Sequence, residues 1–146
     1  MKIIINKCIF LFIKMVINPG IKNVNNDEII DYQGTEEYNG KAVQLYIKKA
    51  MTPILALAPD SWGHGSILDK ILGEMGINFD KINLLDGTFH AKKEGDLYIA
   101  VGMSFARIRG ENIILFEDSY TYPLKPNQEH ADKVKPYAPR INITID

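Results

Sequence analysis

Residues 54–76 read ILALAPDSWGHGSILDKILGEMG, and three kinds of element follow one another inside them. Ile54 to Ala58 is a short apolar run stopped by Pro59, the length and composition of a buried strand. Residues 59–65 hold Pro59, Asp60, Ser61, Gly63 and Gly65, which is loop chemistry. Ile67, Leu68, Ile71, Leu72 and Met75 then recur at helical spacing, with Asp69, Lys70 and Glu74 on the other side. Ser66 is the expected N-cap of this helix and Gly76 its C-terminal stop.

Upstream, Ala42, Val43, Tyr46, Ile47 and Ala50 also recur at helical spacing, which predicts a first helix ended by Pro53. Residues 23–40 are polar and Asn-rich, with Ile29 and Ile30 as a short edge strand. Asn18-Pro19-Gly20 breaks the opening segment, because proline lacks an amide donor and glycine permits the turn. That segment, MKIIINKCIFLFIKMVI, is interrupted by Lys2, Asn6, Lys7 and Lys14. It is too short and too charged for a membrane-spanning helix, and no small-residue cleavage site follows it. It reads as an Ile-dense opening strand; with Met15 as the start, residues 1–14 would instead be a leader.

Downstream the pattern turns to strands. Asp86-Gly87 lies between INLL and TFHA, a strong hairpin signal. Leu97, Ile99, Val101, Met103 and Phe105 alternate as one buried face, and Arg109-Gly110-Glu111-Asn112 turns that strand into IILF. Pro123, Pro126, Pro136 and Pro139 mark a long loop, and Ile141, Ile143 and Ile145 alternate in a closing strand. The expected fold is α+β, a mixed sheet with two main helices packed on one face, in a single domain over residues 1–146.

Composition limits the function classes. With 146 residues, 46% of them apolar and 24% charged, the chain can bury a full core. A formal net charge of −1 supplies no basic field for duplex nucleic acid or an anionic membrane, so any phosphate contact must be local. The lone Cys8 excludes a disulfide framework within the chain, and the expected location is cytoplasmic. His90 and His130 have no partner at metal-ligand spacing, so neither a metal nor a cofactor is expected.

Chemistry concentrates in SWGHGS. Gly63 and Gly65 let backbone approach a ligand around His64, and the helix that follows opens with unpaired amides that attract phosphate. Ser61, His64 and Ser66 would add donors and a proton-transfer group. A tight turn with a structurally satisfied histidine explains the same residues. Two of the three arginines, Arg107 and Arg109, sit at the exit of the long strand, where a bidentate phosphate contact and a solvated strand end are equally consistent with them. Trp62 either stacks on a base or covers the core. No P-loop or dinucleotide fingerprint is present.

The pieces VINPG, KAVQLYIKKA, GHGSILDKILG, EGDLYIAV and ARIRGEN, in that order over residues 15–115, resemble the viral ring nucleases that act as type III anti-CRISPR proteins. The family places its acidic residue directly after the arginine, whereas here Arg107 leads into Ile108-Arg109-Gly110-Glu111. The resemblance implies a homodimer acting without metal on cyclic tetra-adenylate, by attack of a ribose 2′-hydroxyl on the adjacent phosphate. It implies His64 as general acid and Arg107 as the charge stabiliser, both catalytic. Asn18, Ser61, Gly63, Gly65, Ser66, Arg109 and Glu111 would line the ligand site. The activity would counteract CRISPR-type antiviral signalling. Two other readings stand beside it: a nucleotide-binding protein that sequesters the messenger without cleaving it, and a virion or interaction protein with no small ligand.

Overall fold

A computed structural model describes residues 17–24 and 36–146. The expected opening strand and the edge strand at Ile29–Ile30 lie outside the described residues.

The strand read at Ile54–Ala58 is β3 in chain order (Thr52–Pro59), preceded by β1 (Gly20–Asn23) and β2 (Glu37–Ile47). Then come helix α1 (His64–Glu74), a two-stranded arm of β4 (Lys81–Asn83) and β5 (Phe89–Ala91), and the long β6 (Tyr98–Arg109). β7 (Asn112–Phe116), helix α2 (Gln128–Val134) and β8 (Asn142–Ile145) complete the chain. The main sheet has six strands in the order β1-β3-β2-β6-β7-β8. β1 runs parallel to β3 and β8 parallel to β7, and the other pairings are antiparallel. The class is α+β with a mixed sheet and two helices, as expected.

The segment expected as the first helix is the central strand β2. Val43, Leu45 and Ile47 face α1 with Ile54, Ala56 and Ala58 of β3, while Ala42 turns to the opposite cluster with Leu55 and Leu57. Every residue from Ala42 to Ile47 is therefore buried. A strand covered on both faces has no polar alternation to display, and its apolar residues, interrupted only by Gln44, satisfied a helical template by accident. Gly20 likewise opens a strand, at φ 118°, where a break was expected.

The helices take opposite faces of β2 and β3, and do not share one. Ile67, Leu68, Ile71 and Leu72 of α1 join the first cluster, with Tyr98 and Met103; Val134 of α2 joins the second, with Ala106, Ile108, Ile113 and Leu115. The expected buried face of β6 is also corrected. Gln44 pairs with Gly102 but Leu45 pairs with Ala100, so Val101 is an extra residue, a β-bulge. The bulge resets the alternation: Tyr98 and Ala100 point to α1 on one side of it and Met103 on the other, while Leu97 is 55% exposed.

Local signals set α1 and its stop. Ile77 N–H bonds to Leu72 O at 2.9 Å and Gly76 N–H to Gly73 O at 3.1 Å, with Gly76 at φ 69° and Ile77 buried, the Schellman arrangement that glycine favours. The start differs from expectation. Gly63 is the N-cap, extended at φ −80° and ψ 151°, without a side-chain cap bond, and Ser66 already lies in the first turn.

The Pro-rich stretch expected as loop contains α2. Pro126 and Pro136 bracket the helix and so do not break it, and the Asn127 side chain caps it by accepting from His130 N–H at 2.9 Å. A buried polar network fastens α2 to the sheet. Gln44 Oε1 accepts from Asn127 N–H at 2.8 Å, and Gln44 Nε2 donates to Asn127 O at 2.8 Å and to His130 Nδ1 at 3.2 Å. His130 Nε2 donates to Leu45 O at 2.9 Å, which fixes the tautomer and leaves Nδ1 as acceptor. Asn127 Nδ2 reaches the Val101 carbonyl in the bulge at 3.3 Å. His130 is fully buried, and burial pushes its pKa down to about 4, against the opposing pull of its bond to Leu45 O.

No helix among the described residues is long and apolar enough to cross a membrane.

Candidate anion-binding site at the start of α1

β3 delivers the chain to the edge of the sheet, and Pro59–Gly63 turns it into α1. The first amides of α1, those of His64, Gly65 and Ser66, lack partners within the helix, and Gly63 offers no side chain to cap them. Ile67 N–H is the first to close a helical bond, to Gly63 O at 3.1 Å. Ser61 and Gly63 are exposed and Ser66 is half-buried.

His64 points inward. Its Nε2 lies 2.8 Å from Ser104 O, and because a carbonyl only accepts, Nε2 carries the ring's proton. The side chain is buried, its ring edge-on to Phe105 at 6.1 Å and 85°. Burial first, and then the nearby Lys41 charge, lower its pKa below the ordinary histidine value, against the raising effect of the Ser104 bond. His64 is thus a neutral imidazole near pH 7 with its one N–H committed to backbone.

The register of β2, β6 and β7 lays a stripe of cations and aromatics beside it. Lys41 pairs with Phe105, Phe105 with Phe116, and Arg107 with Ile114, so these side chains share the face that carries α1. Lys41 Nζ donates to Trp62 O at 2.7 Å and stands 5.7 Å from the Phe105 ring centre. Phe105 and Phe116 stack at 5.9 Å. Arg107 lies over Phe116 at 4.8 Å and meets Glu37 at 3.6 Å. Each cation is held over a ring face, the favoured placement for such a pair.

The structure therefore brings His64, Gly63, Gly65, Ser61, Ser66 and Arg107 to one side of the sheet. It does not gather all of the expected set. Arg109 is exposed at the end of β6, opposite Asn112, and Glu111 in the following turn accepts from Arg140 at 3.0 Å. Asn18 precedes Gly20, which pairs with Ile54, whereas α1 follows Pro59; that separates them by about 17 Å of extended strand. Gly65 also has a packing reason of its own: the His90 ring lies so close that a β-carbon at Gly65 would overlap it.

Sequence reasoning missed Lys41, Phe105 and Phe116 as site residues, and missed the pairing of Asp69 with His90. His90 Nδ1 donates to Asp69 Oδ2 at 2.8 Å, and Ala91 N–H donates to Asp69 Oδ1 at 2.7 Å. Asp69 and His90 are 21 positions apart, and only the folding of the β4–β5 arm onto α1 joins them. The Asp86-Gly87 turn was the available signal, since it makes the arm: Gly87 adopts φ 83° and Asp86 accepts from Thr88 N–H at 3.0 Å.

No protein-family model matches the chain, and no curated protein matches it either.

Proposed function

We propose that this chain binds a cyclic oligoadenylate, with a phosphate seated on the open first turn of α1 and adenosine units lying along the Lys41–Phe105–Phe116–Arg107 stripe. One observation carries the reading. The uncapped amides of α1 follow a loop tied to Lys41, and on the same sheet face Lys41 and Arg107 are each fixed over an aromatic ring. Helix amides and a guanidinium suit phosphate, and aromatic rings suit bases, so the two ligand chemistries meet within one stripe. An overall charge of −1 makes such a local device necessary. A ring of repeating units is matched by two copies of one site, so the binding species is a homodimer. Removal of such a messenger would oppose the type III CRISPR response that it signals for.

Of binding and cleavage, the state of His64 favours binding as its own role. A neutral imidazole whose N–H is given to Ser104 O has no proton ready for a leaving oxygen. His64 is therefore assigned as a wall of the site, and not as a general acid. Titration calorimetry with cyclic tetra-adenylate, a linear adenylate of equal length and ATP tests the reading. Selective micromolar binding of the cyclic ligand is expected, at one ring per dimer. Equal affinity for all three, or none for the ring, would sink it.

A further inference from the structure

We propose that the outer edge of β8 is a self-pairing surface whose partner is a second copy of this chain. Two β8 strands join antiparallel across a two-fold axis and run the two sheets into one. The seam uses none of the residues of the site above, and its test contains no ligand, so either can fail without the other.

β8 ends the sheet, with β7 on one side and, among the described residues, no strand on the other. Its backbone groups alternate in direction. Asn142 N–H bonds inward to Glu111 O at 2.8 Å and Asp146 N–H to Leu115 O at 2.9 Å. Ile143 and Ile145, one step out of phase with those two, therefore turn N–H and C=O outward. Backbone groups of this kind require partners, and an edge that displays them is a template for another strand. Lysine and proline are the common guards of such an edge. β1, at the other end of the sheet, follows Pro19 and contains Lys22, whereas Asn142–Ile145 holds neither residue.

The residues around β8 select a copy of themselves as the occupant. In an antiparallel pair, outward-turned residues must face one another, and the register centred on Ile143 aligns all of residues 140–146. Ile143 of the two copies then exchange N–H···O bonds. Ile145 N–H reaches the carbonyl of Ile141 in the other copy, a residue whose own N–H is already given to Ala138 O. Ile141 lies across from Ile145, which continues the apolar cluster that Ile141, Ile143 and Ile145 join beneath α2. Asn142 lies across from Thr144, both exposed, as a polar pair. At both ends of the seam Arg140 falls opposite Asp146, and both are exposed. A cation three positions before the centre and an anion three positions after it match only when the strand meets itself antiparallel. A parallel copy would set like charge against like. The contact is isologous, as a closed two-fold dimer demands.

The test is analytical ultracentrifugation of the full chain without ligand, over about 10–300 µM because a contact this small associates weakly. Wild type should show a monomer–dimer equilibrium. Asp146→Arg sets arginine against arginine at both ends and should weaken association about 10-fold or more. Arg140→Asp added to Asp146→Arg exchanges the charges and should restore it. Ile143→Pro should abolish association, since proline removes the outward N–H at the centre of the seam and leaves the bonds to β7 in place. Circular dichroism checks that each variant is folded; if Ile143→Pro is not, the charge exchange decides alone. A wild type that stays monomeric overturns the proposal. If its Ile143 and Ile145 amides nonetheless resist hydrogen exchange, the chain's own residues occupy the edge. A dimer that Asp146→Arg leaves intact, or that the exchanged pair fails to restore, also overturns it, because the copies then meet elsewhere.

Discussion

His130 gives the fold a calculable weakness to acid. Its pKa stands at about 4 in the folded chain, against the ordinary value of 6.5 that an unfolded chain recovers. Above pH 6.5 the ring is neutral in both states and contributes no pH dependence. As pH falls from 6.5 towards 4, the unfolded state takes up a proton that the folded state refuses, so stability is lost over that window. A gap of about 2.5 pH units, at about 1.4 kcal/mol per unit, gives a loss of about 3 kcal/mol below pH 4. At pH 4.5 the loss is already about 2.5 kcal/mol. His64, whose pKa is lowered for the same first reason, adds to the loss with the same sign. The control is His130→Gln, whose amide can still donate towards Leu45 O but does not titrate. Urea unfolding of both proteins at pH 7 and pH 4.5 isolates the effect. At pH 7 the variant should be less stable by about 1–3 kcal/mol, because Gln44 Nε2 loses an acceptor in a buried site. At pH 4.5 that difference should shrink by about 2.5 kcal/mol. Parallel losses in the two proteins would refute the reasoning, since the proton would then be entering elsewhere.

Three other outcomes are expected. Gly65→Ala places a β-carbon inside the His90 ring, so the arm must shift; a loss of about 1–3 kcal/mol by thermal melting is expected, together with loss of ligand binding. Ala50→Gly should stabilise by about 1 kcal/mol in urea titration, because Ala50 sits at φ 60° between β2 and β3, where only glycine escapes the β-carbon penalty. Arg107→Ala should weaken binding of cyclic tetra-adenylate about 10-fold or more by calorimetry while leaving the melting temperature within a few degrees, since Arg107 is part-exposed and its ion pair with Glu37 is long.

What could be read in the chain was local. The α1 stripe, the Gly76 stop, the Asp86-Gly87 turn and the Ile141–Ile145 alternation each encode structure within a few residues, and each lies where expected. β2 was hidden because it is buried on both sides, so its identity depends on β3, β6 and both helices at once. α2 was hidden because its anchor, Gln44, is 83 positions from Asn127. At the site, His64 and Arg107 could be picked out by residue type. Their neighbours could not: Lys41 meets Phe105 only through the register of two long strands, and that register includes a bulge no pattern announced. Asn18 was assigned by motif order alone, and sheet order sends it to the other end of β3.

The bulge at Val101 has a meaning for how this chain tolerates change in length. Removing Val101 would leave Ala100 next to Gly102, and strict alternation would then place every β6 side chain on the face it already occupies. The strand itself would not register the deletion. What would be lost is the backbone oxygen to which the Asn127 side chain donates, and with it one tie between the sheet and the residue that caps α2. Adding a further residue between Ala100 and Met103 would have the opposite effect, turning either Tyr98 and Ala100 or Met103 away from α1. The surplus residue therefore sits where it costs the core nothing, and there it serves as a docking point for Asn127, the cap of α2, 26 residues later.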